Sequence, residues 1–223
     1  MAKLYFRYGA MNCGKTTALL QVAYNYEENG LHVIVIKSEK DTKGDDTVIS
    51  RLGKDRKVEF LIGEEEKLLP YGEIWKRRKI ACVLVDEAEF LSEEQVIDLY
   101  RITKYYDIPV ICYSLRTTFK GEFFTGSGPL MRWADHIEEL VNICGIKGCG
   151  KKAKFQGRKV NGVFVLEGEE VVIDGSDKKT EYVPLCGEHY LTEVYDRDRR
   201  LDFGEKPKQF IIKPPKYRGM ESA

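Results

Sequence analysis

A glycine-rich segment near the start of the chain has the residue types and spacing of a phosphate-binding loop. It fits the pattern G-x-x-x-x-G-K-[S/T] and comprises Gly9, Ala10, Met11, Asn12, Cys13, Gly14, Lys15 and Thr16, followed by Thr17. Glycines let backbone N–H groups turn inward around phosphate oxygens, and the following helix presents its positive end to them. Lys15 could reach the β- and γ-phosphates of ATP, and the Thr16 hydroxyl could ligate Mg²⁺. The alternative interpretation is a glycine turn with an exposed lysine.

Two carboxylates, Asp86 and Glu87, directly follow the apolar run of residues 83–85. In open α/β sheets the C-terminal ends of the strands face the ligand crevice. Asp86 therefore occupies the position of a carboxylate that holds Mg²⁺, and Glu87 could accept a proton from an attacking hydroxyl or water. Considered alone, the pair could also be an acidic turn before the next helix. The two motifs together predict nucleotide chemistry without choosing between a kinase and an ATPase or GTPase.

A third set of chemically able residues lies in the C-terminal part of the chain, in two short clusters. It consists of Cys144, Cys149, Cys186 and His189. Three thiolates and one imidazole are a common ligand set for structural Zn²⁺, because they close its tetrahedral shell. No coordination position would remain for catalysis, so the predicted role is structural. The alternative is a group of buried, unligated cysteines beside a surface histidine.

The elements that would position these groups alternate along the chain. Apolar runs predict strands at residues 4–8, 31–36, 58–62, 80–85 and 109–113. A helical pattern follows the glycine-rich loop from Lys15 to about Glu28, and Ser92 with Gln95 predicts a capping box for a helix that ends near Tyr106. This alternation predicts an α/β fold, a doubly wound parallel sheet with helices on both faces.

The character of the sequence changes near residue 141. Residues 1–141 are predicted to form the nucleotide-binding domain, and residues 142–205 a small β-rich domain with short strands at 163–166 and 171–173. Residues 206–223 contain three prolines and are expected to be extended or disordered. Residues 41–57 are polar, charged and turn-rich, which indicates a loop long enough to be functional or mobile.

Composition and charge restrict the class of protein. The 223 residues are 43% apolar and 32% charged, as in a soluble globular protein. Lysine plus arginine balance aspartate plus glutamate at 36 each, so no overall basic field favours nucleic acid. No stretch has the features of a signal peptide or a membrane span. We therefore expect a cytoplasmic protein without nucleic-acid or membrane partners.

Five segments, taken in this order, make the chain resemble the zinc-containing thymidine kinase family. They are GAMNCGKT, the Asp41-Thr42-Lys43 loop, VDEAEF, SLRTTFKGEFF, and the cysteine pairs that flank VVIDG and Tyr182. The resemblance covers about residues 2–190. It implies a P-loop kinase domain followed by a small zinc-binding lasso domain. It also implies ATP- and Mg²⁺-dependent transfer of the γ-phosphoryl group to the 5′-hydroxyl of thymidine, and of deoxyuridine, giving dTMP in nucleotide salvage for DNA synthesis.

The resemblance assigns roles residue by residue. Glu87 corresponds to the base that takes the proton from the 5′-hydroxyl of thymidine. The walls of the base pocket correspond to Met11, Phe90, Leu115, Phe119 and Phe124, although each aromatic ring could instead belong to ordinary core packing. The lasso, residues 155–182, would contribute Val172, Ile173, Asp174, Gly175 and Tyr182. The resemblance further implies a homotetramer and feedback inhibition by thymidine triphosphate.

The chain departs from the family pattern at four places. Glu89 stands where glutamine is usual, and Lys43 where arginine is usual. Residues 145–148 contain an apparent insertion, and Asp174-Gly175 replaces a usual Gly-Gly in a lasso about two residues longer than usual. These departures leave nucleoside selectivity open. Two alternatives also remain: an ATPase in which Glu87 activates water, and a zinc-ribbon module that binds nucleic acid and uses the P-loop as a switch.

Overall fold

A computed structural model describes residues 1–41, 46–50, 53, 55–168 and 180–196. Its strands are β1 (Leu4–Gly9), β2 (Val33–Ser38), β3 (Thr47–Ile49), β4 (Asp55–Lys57), β5 (Phe60–Ile62), β6 (Cys82–Asp86), β7 (Val110–Leu115), β8 (His136–Leu140), β9 (Phe155–Val160), β10 (Val163–Val165) and β11 (Thr180–Leu185). Its helices are α1 (Lys15–Glu28), α2 (Leu69–Arg77), α3 (Glu93–Tyr105), α4 (Ser127–Trp133) and α5 (Gly187–Tyr190). A 3₁₀ turn covers Ala88–Phe90, and a π-helical turn covers Leu191–Tyr195.

The predicted parallel sheet is confirmed. Six strands pair side by side in the order β5-β2-β6-β7-β1-β8, and every pairing in this sheet is parallel. Strands β2 and β6 are buried along their whole length, as their valine- and isoleucine-rich sequences require. Because β1 and β6 both pair with β7 in parallel, the C-terminal ends of all three strands lie at the same edge of the sheet. The glycine-rich loop and the acidic pair are thereby brought to one side of the molecule.

Helices cover both faces of this sheet, as the sequence predicted. On one face, Leu19 and Ala23 of α1 pack against Val35 and Leu84. On the other face, α3, α4 and α2 pack around a larger apolar cluster that includes Phe6 of β1. The predicted capping box of α3 is present, because Ser92 Oγ accepts from the Gln95 N–H and Gln95 Oε1 accepts from the Ser92 N–H.

The sequence interpretation missed several elements. The described residues between 41 and 57 are more than a loop, because β3 pairs antiparallel with β4 and Val48 is buried. Helix α2 was not predicted because it contains Pro70 and Gly72, which are unfavourable in most helices. Pro70 is tolerated because it lies in the first turn. Gly72 is required because a Cβ there would lie 2.3 Å from the Tyr106 ring. Helix α4 and the edge strand β8 were also missed. Both elements are short, and all five residues of β8 are exposed or half-buried, so neither has a clear apolar periodicity.

The second, smaller sheet is antiparallel, in the order β10-β9-β11. It packs with α5 and the π-helical turn around a compact apolar cluster that includes Phe164, Leu185, Tyr190 and Val194. The β-rich character predicted for this region is confirmed. The predicted run at residues 171–173 and the C-terminal tail at 206–223 lie outside the described residues. None of the helices in the described part of the chain combines the length and apolar composition that a bilayer-spanning helix needs.

Candidate active site

The glycine-rich loop lies between β1 and α1, as the spacing predicted. Asn12 and Gly14 both have positive φ, at 65° and 85°. Gly9 is closely confined, since a Cβ there would lie 2.4 Å from Cys13 Sγ and 2.7 Å from the Leu140 carbonyl oxygen. Only glycine fits this position without displacing backbone, so the tight entry of the loop depends on it.

The start of α1 suits an anionic ligand. Gly14 is the N-cap, and no side chain of the described residues caps the first turn. The exposed N–H groups of that turn, together with the helix dipole, favour a bound phosphate. Lys15 is only 9% exposed, which excludes the alternative of a surface lysine on a glycine turn. Thr16 is half-buried, whereas the Thr17 hydroxyl is hydrogen-bonded to Ser50 at 3.0 Å.

Strand β6 ends at Asp86, beside Lys37 of β2. Asp86 is 5% exposed, and its Oδ1 has no hydrogen-bond partner among the described residues. Burial, followed by the negative charge of Glu87, raises the pKa of Asp86 to about 7, and the charge of Lys15 opposes this shift. A buried carboxylate oxygen that lacks a donor, close enough to Lys15 to feel its charge, fits a ligand for Mg²⁺.

A buried ion pair borders this carboxylate. Lys37 Nζ lies 3.1 Å from Asp41 Oδ2, and the Lys37 side chain is 1% exposed. The charge of Asp41 adds to the rise in the pKa of Asp86. Asp41 is the second candidate for the base, after Glu87.

Glu87 lies directly after Asp86 in a left-handed backbone conformation, with φ 45° and ψ 43°. This conformation costs a non-glycine residue on the order of 1 kcal/mol or more and is typical of functional turns. It directs the chain into the 3₁₀ turn Ala88–Phe90. The Gly126 N–H fixes that turn by donating to the Glu89 carbonyl oxygen at 2.9 Å. A Cβ at Gly126 would lie 2.1 Å from the Ala88 carbonyl oxygen, so the close approach requires glycine.

The predicted pocket residues differ in their exposure. Phe90 is half-buried and meets the buried Phe124 edge to face, with ring centroids 6.2 Å apart. Phe119 is 1% exposed and lies under the guanidinium group of Arg158, 4.4 Å from its ring centroid. Met11, in the loop after β1, and Leu115, the last residue of β7, are both half-buried.

Of the predicted lasso residues, Tyr182 is half-buried in β11, opposite Arg158 of β9. Val172, Ile173, Asp174 and Gly175 lie outside the described residues, as does Lys43.

The four predicted metal ligands converge. One ligand atom from each of Cys144, Cys149, Cys186 and His189 lies within 4.8 Å of all the others. Cys149 Sγ and Cys186 Sγ are 3.8 Å apart, and His189 Nδ1 lies 3.3 Å from Cys186 Sγ and 3.4 Å from Cys144 Sγ. A tetrahedral zinc site with ordinary bond lengths has sulfur–sulfur edges of about 3.8 Å and sulfur–nitrogen edges of about 3.6 Å. The cluster therefore fits zinc, and the cysteines are free thiols.

Sequence reasoning missed three side chains that join the small sheet to the pocket wall. The Gln156 amide donates to the Thr117 carbonyl oxygen, Arg158 covers the Phe119 ring, and the Tyr190 hydroxyl donates to the Phe119 carbonyl oxygen at 2.9 Å. Gln156 and Arg158 are polar, yet both are buried in β9. Polar residues in a strand next to apolar ones were the only feature of the sequence that could have indicated such contacts. Tyr190 directly follows the predicted metal ligand His189, and this position could have indicated that it connects the metal cluster to another part of the chain.

Comparison with known proteins agrees with these features. The sequence profile "TK: Thymidine kinase" matches residues 2–190. A thymidine kinase of Photorhabdus laumondii is 41% identical over 209 residues, which cover 91% of this chain and 99% of that relative. Those of Salmonella typhimurium and Escherichia coli O157:H7 are 40% and 42% identical, covering 90% and 89% of this chain and 100% and 99% of the relatives.

Proposed function

The chain belongs to the thymidine kinase family, and from that premise we propose that Glu87 is the base with which it phosphorylates thymidine. Membership of the family selects the kinase over the ATPase and nucleic-acid-binding alternatives that the motifs left open. The substrates are thymidine and ATP. The observation that carries the proposal for Glu87 is its position: it follows the buried carboxylate Asp86 at the edge of the sheet where the phosphate-binding loop also lies.

The phosphate end of the site combines the loop and the end of β6. The amides of Gly9–Thr16 and the Lys15 ammonium would bind the β- and γ-phosphates, and the turn of α1 adds its dipole. Asp86 and Thr16 are the side chains that would hold Mg²⁺. When bound, this ion neutralises charge on the phosphates during transfer. Transfer would be in line to the 5′-oxygen, with positioning supplying much of the acceleration.

The nucleoside end would be built from apolar walls and a covering segment. Met11, Phe90, Leu115, Phe119 and Phe124 would surround the planar base. The lasso would add Tyr182 and the backbone of residues 172–175. Half-exposed Phe90 and Leu115 would contact the base directly, whereas fully buried Phe119 requires a shift of Arg158 or contacts the base only with its edge. Such a pocket accepts deoxyuridine as well, because one methyl group changes binding by about 1–3 kcal/mol.

The Cys144, Cys149, Cys186 and His189 cluster would hold a structural Zn²⁺. The small sheet has few apolar residues of its own, so metal binding would contribute directly to its folding. A homotetrameric assembly and inhibition by thymidine triphosphate, which combines features of both substrates, follow from the family resemblance and complete the proposal.

Replacing Glu87 with glutamine tests the role of the base. Glutamine keeps the size and some hydrogen bonding of the side chain but removes its basicity. We expect kcat to fall by about two orders of magnitude, because general-base assistance is worth roughly 10²–10⁴-fold. MgATP affinity should survive, since Lys15, Thr16 and Asp86 remain, and the KM for thymidine should change only modestly.

The matched control is Glu65→Gln, the same change at an exposed carboxylate. Its kcat should equal that of the wild type. A folded Glu87→Gln enzyme with a kcat within a few-fold of wild type would place the base elsewhere, and Asp41→Asn would be the next variant to measure.

A further inference from the structure

Glu89 is a buried carboxyl group that the proposed mechanism does not use. Its side chain is 1% exposed, and neither of its carboxyl oxygens has a hydrogen-bond donor among the N–H and hydroxyl groups of the described residues. Its backbone is fixed on both sides of the turn, since its carbonyl oxygen accepts from the Gly126 N–H at 2.9 Å and from Thr125 Oγ1 at 3.2 Å. These two bonds hold the backbone that carries the buried side chain in place.

The strongest polar influence on the Glu89 carboxyl is another carboxyl, that of Glu87, and the backbone N–H of Glu89 itself has the smallest effect, in the opposite direction. Glu87 and Glu89 are within hydrogen-bonding range of each other across the 3₁₀ turn. Burial, followed by the negative charge of Glu87 and this hydrogen bond, raises the pKa of Glu89 well above its usual range. Two adjacent carboxylates without donors repel each other, whereas a single shared proton converts the repulsion into a hydrogen bond.

The charged groups around the turn do not remove the need for that proton. Lys15 acts on Glu89 only as a more distant positive charge that opposes the rise in its pKa. Lys37 of β2 is paired with Asp41. On β7, burial raises the pKa values of Cys112 and Tyr113, so both are neutral. Residues 125–127 on the other side of the turn carry no titratable side chain.

We propose that Glu89 is a positioning residue for Glu87: it is held as a neutral carboxylic acid and donates its proton in a hydrogen bond to the Glu87 carboxylate. This bond fixes the orientation of Glu87, whose other oxygen is left to accept the proton of the nucleoside 5′-hydroxyl. Glu89 itself neither gains nor loses a proton during turnover. The inference rests on the proposed role of Glu87 as the base.

Two substitutions of similar size separate hydrogen bonding from packing. Glu89→Gln is neutral at every pH and keeps an N–H donor for Glu87, so its kcat at pH 7 should stay within a few-fold of wild type. Glu89→Leu is also neutral but has no donor, and its kcat should fall about tenfold or more, because a hydrogen bond to a charged group is lost. The KM for ATP should not change in either variant.

The pH profile provides a readout that packing alone would not move. In the wild type, kcat should decline at alkaline pH as Glu89 ionises, because Glu87 then loses its donor and faces a second negative charge. Glu89→Gln should lack this decline, whereas any decline caused by the substrates is common to both enzymes. The control Glu65→Gln should reproduce the wild-type profile.

Thermal unfolding of the ligand-free protein gives the same comparison without catalysis. Because the pKa of Glu89 is higher in the folded chain than in the unfolded one, where it is about 4.3, the folded state loses stability as pH rises between these two values. The Tm of Glu89→Gln minus that of wild type should therefore be small at acid pH and grow as pH rises through this window.

Infrared difference spectra of the same two proteins at pH 7 test the protonation state directly. The wild type should show a carboxylic-acid C=O band that Glu89→Gln lacks. This band is independent of whether Glu87 is the base, so failure of the proposed function and failure of this inference are distinguishable. Absence of the band, or identical pH profiles for wild type and Glu89→Gln, would overturn the proposal. So would a Glu89→Leu enzyme as active as Glu89→Gln; if the leucine variant does not fold, the other three measurements decide.

Discussion

Tyr190 connects two sites that are far apart in sequence. It follows the metal ligand His189, stacks on Phe155 with ring centroids 4.4 Å apart, and donates its hydroxyl proton to the Phe119 carbonyl oxygen at 2.9 Å. Burial raises the pKa of this phenol to about 12, so the hydroxyl remains a donor throughout the working range of pH. A change at the metal cluster can thus reach the segment that would form the wall of the base pocket.

Removing this single hydroxyl tests the connection. Tyr190→Phe keeps the ring and its stacking but leaves the buried Phe119 carbonyl oxygen without its donor, a loss of about 1–3 kcal/mol in the free energy that holds this segment. We expect the Kd for thymidine, measured by calorimetry, to rise several-fold, with zinc content and MgATP affinity unchanged. Tyr105→Phe, the same change at an exposed tyrosine of α3, is the control. An unchanged thymidine Kd in Tyr190→Phe would show that Phe119 does not depend on the small sheet.

At the scale of elements, the sequence predicted the parts of the fold that have strong periodicity or clear end signals. Helix α1 runs from Lys15 to Glu28 as expected, and α3 begins at its predicted capping box. The buried strands of the central sheet were found within about two residues. Short elements such as α2 and β8 were not, since their stability comes from tertiary packing that a local pattern does not contain.

The same distinction applies to the candidate site. Motifs at fixed spacing, such as the phosphate-binding loop and the cysteine pairs, were located because their chemistry requires that spacing. The burial of Glu89 and the contacts of Arg158 with Phe119 depend on chain segments that meet only after folding. Sequence reasoning noticed Glu89 only as a departure from the family pattern. Its contact with Glu87 needed three-dimensional structure to be seen.

The metal cluster is the element whose removal should have the widest effect. Cys149→Ser replaces a thiolate by a hydroxyl that binds zinc poorly, so we expect the purified protein to lose most of its zinc. The small sheet should then unfold at a lower temperature, and trypsin should cleave it faster than the central sheet. Cys13→Ser makes the same change outside the cluster and should retain one zinc per chain by elemental analysis. Full zinc occupancy in Cys149→Ser would contradict the ligand assignment.

At the scale of the whole molecule, the parallel sheet and the small antiparallel sheet contribute different residues to the candidate site. The parallel sheet brings together the glycine-rich loop after β1 and the two carboxylates at the end of β6, on either side of the end of β7. The small antiparallel sheet supplies Gln156 and Arg158, and the adjoining helix α5 supplies Tyr190, and these three side chains contact the segment after β7. The charge of the chain is balanced, with 36 basic and 36 acidic residues. The boundary predicted at residue 141 stays a prediction.

Consumption of ATP with a panel of nucleosides tests the central claim most directly. Wild-type enzyme with MgATP should phosphorylate thymidine and deoxyuridine with a kcat/KM well above those for deoxycytidine, deoxyadenosine and deoxyguanosine. Thymidine should exceed deoxyuridine by no more than about 1–3 kcal/mol in transition-state free energy, the usual worth of one methyl group. ATP should not be consumed without a nucleoside. ATP hydrolysis that is independent of nucleoside, or equal turnover of deoxycytidine or a purine deoxynucleoside, would contradict the account.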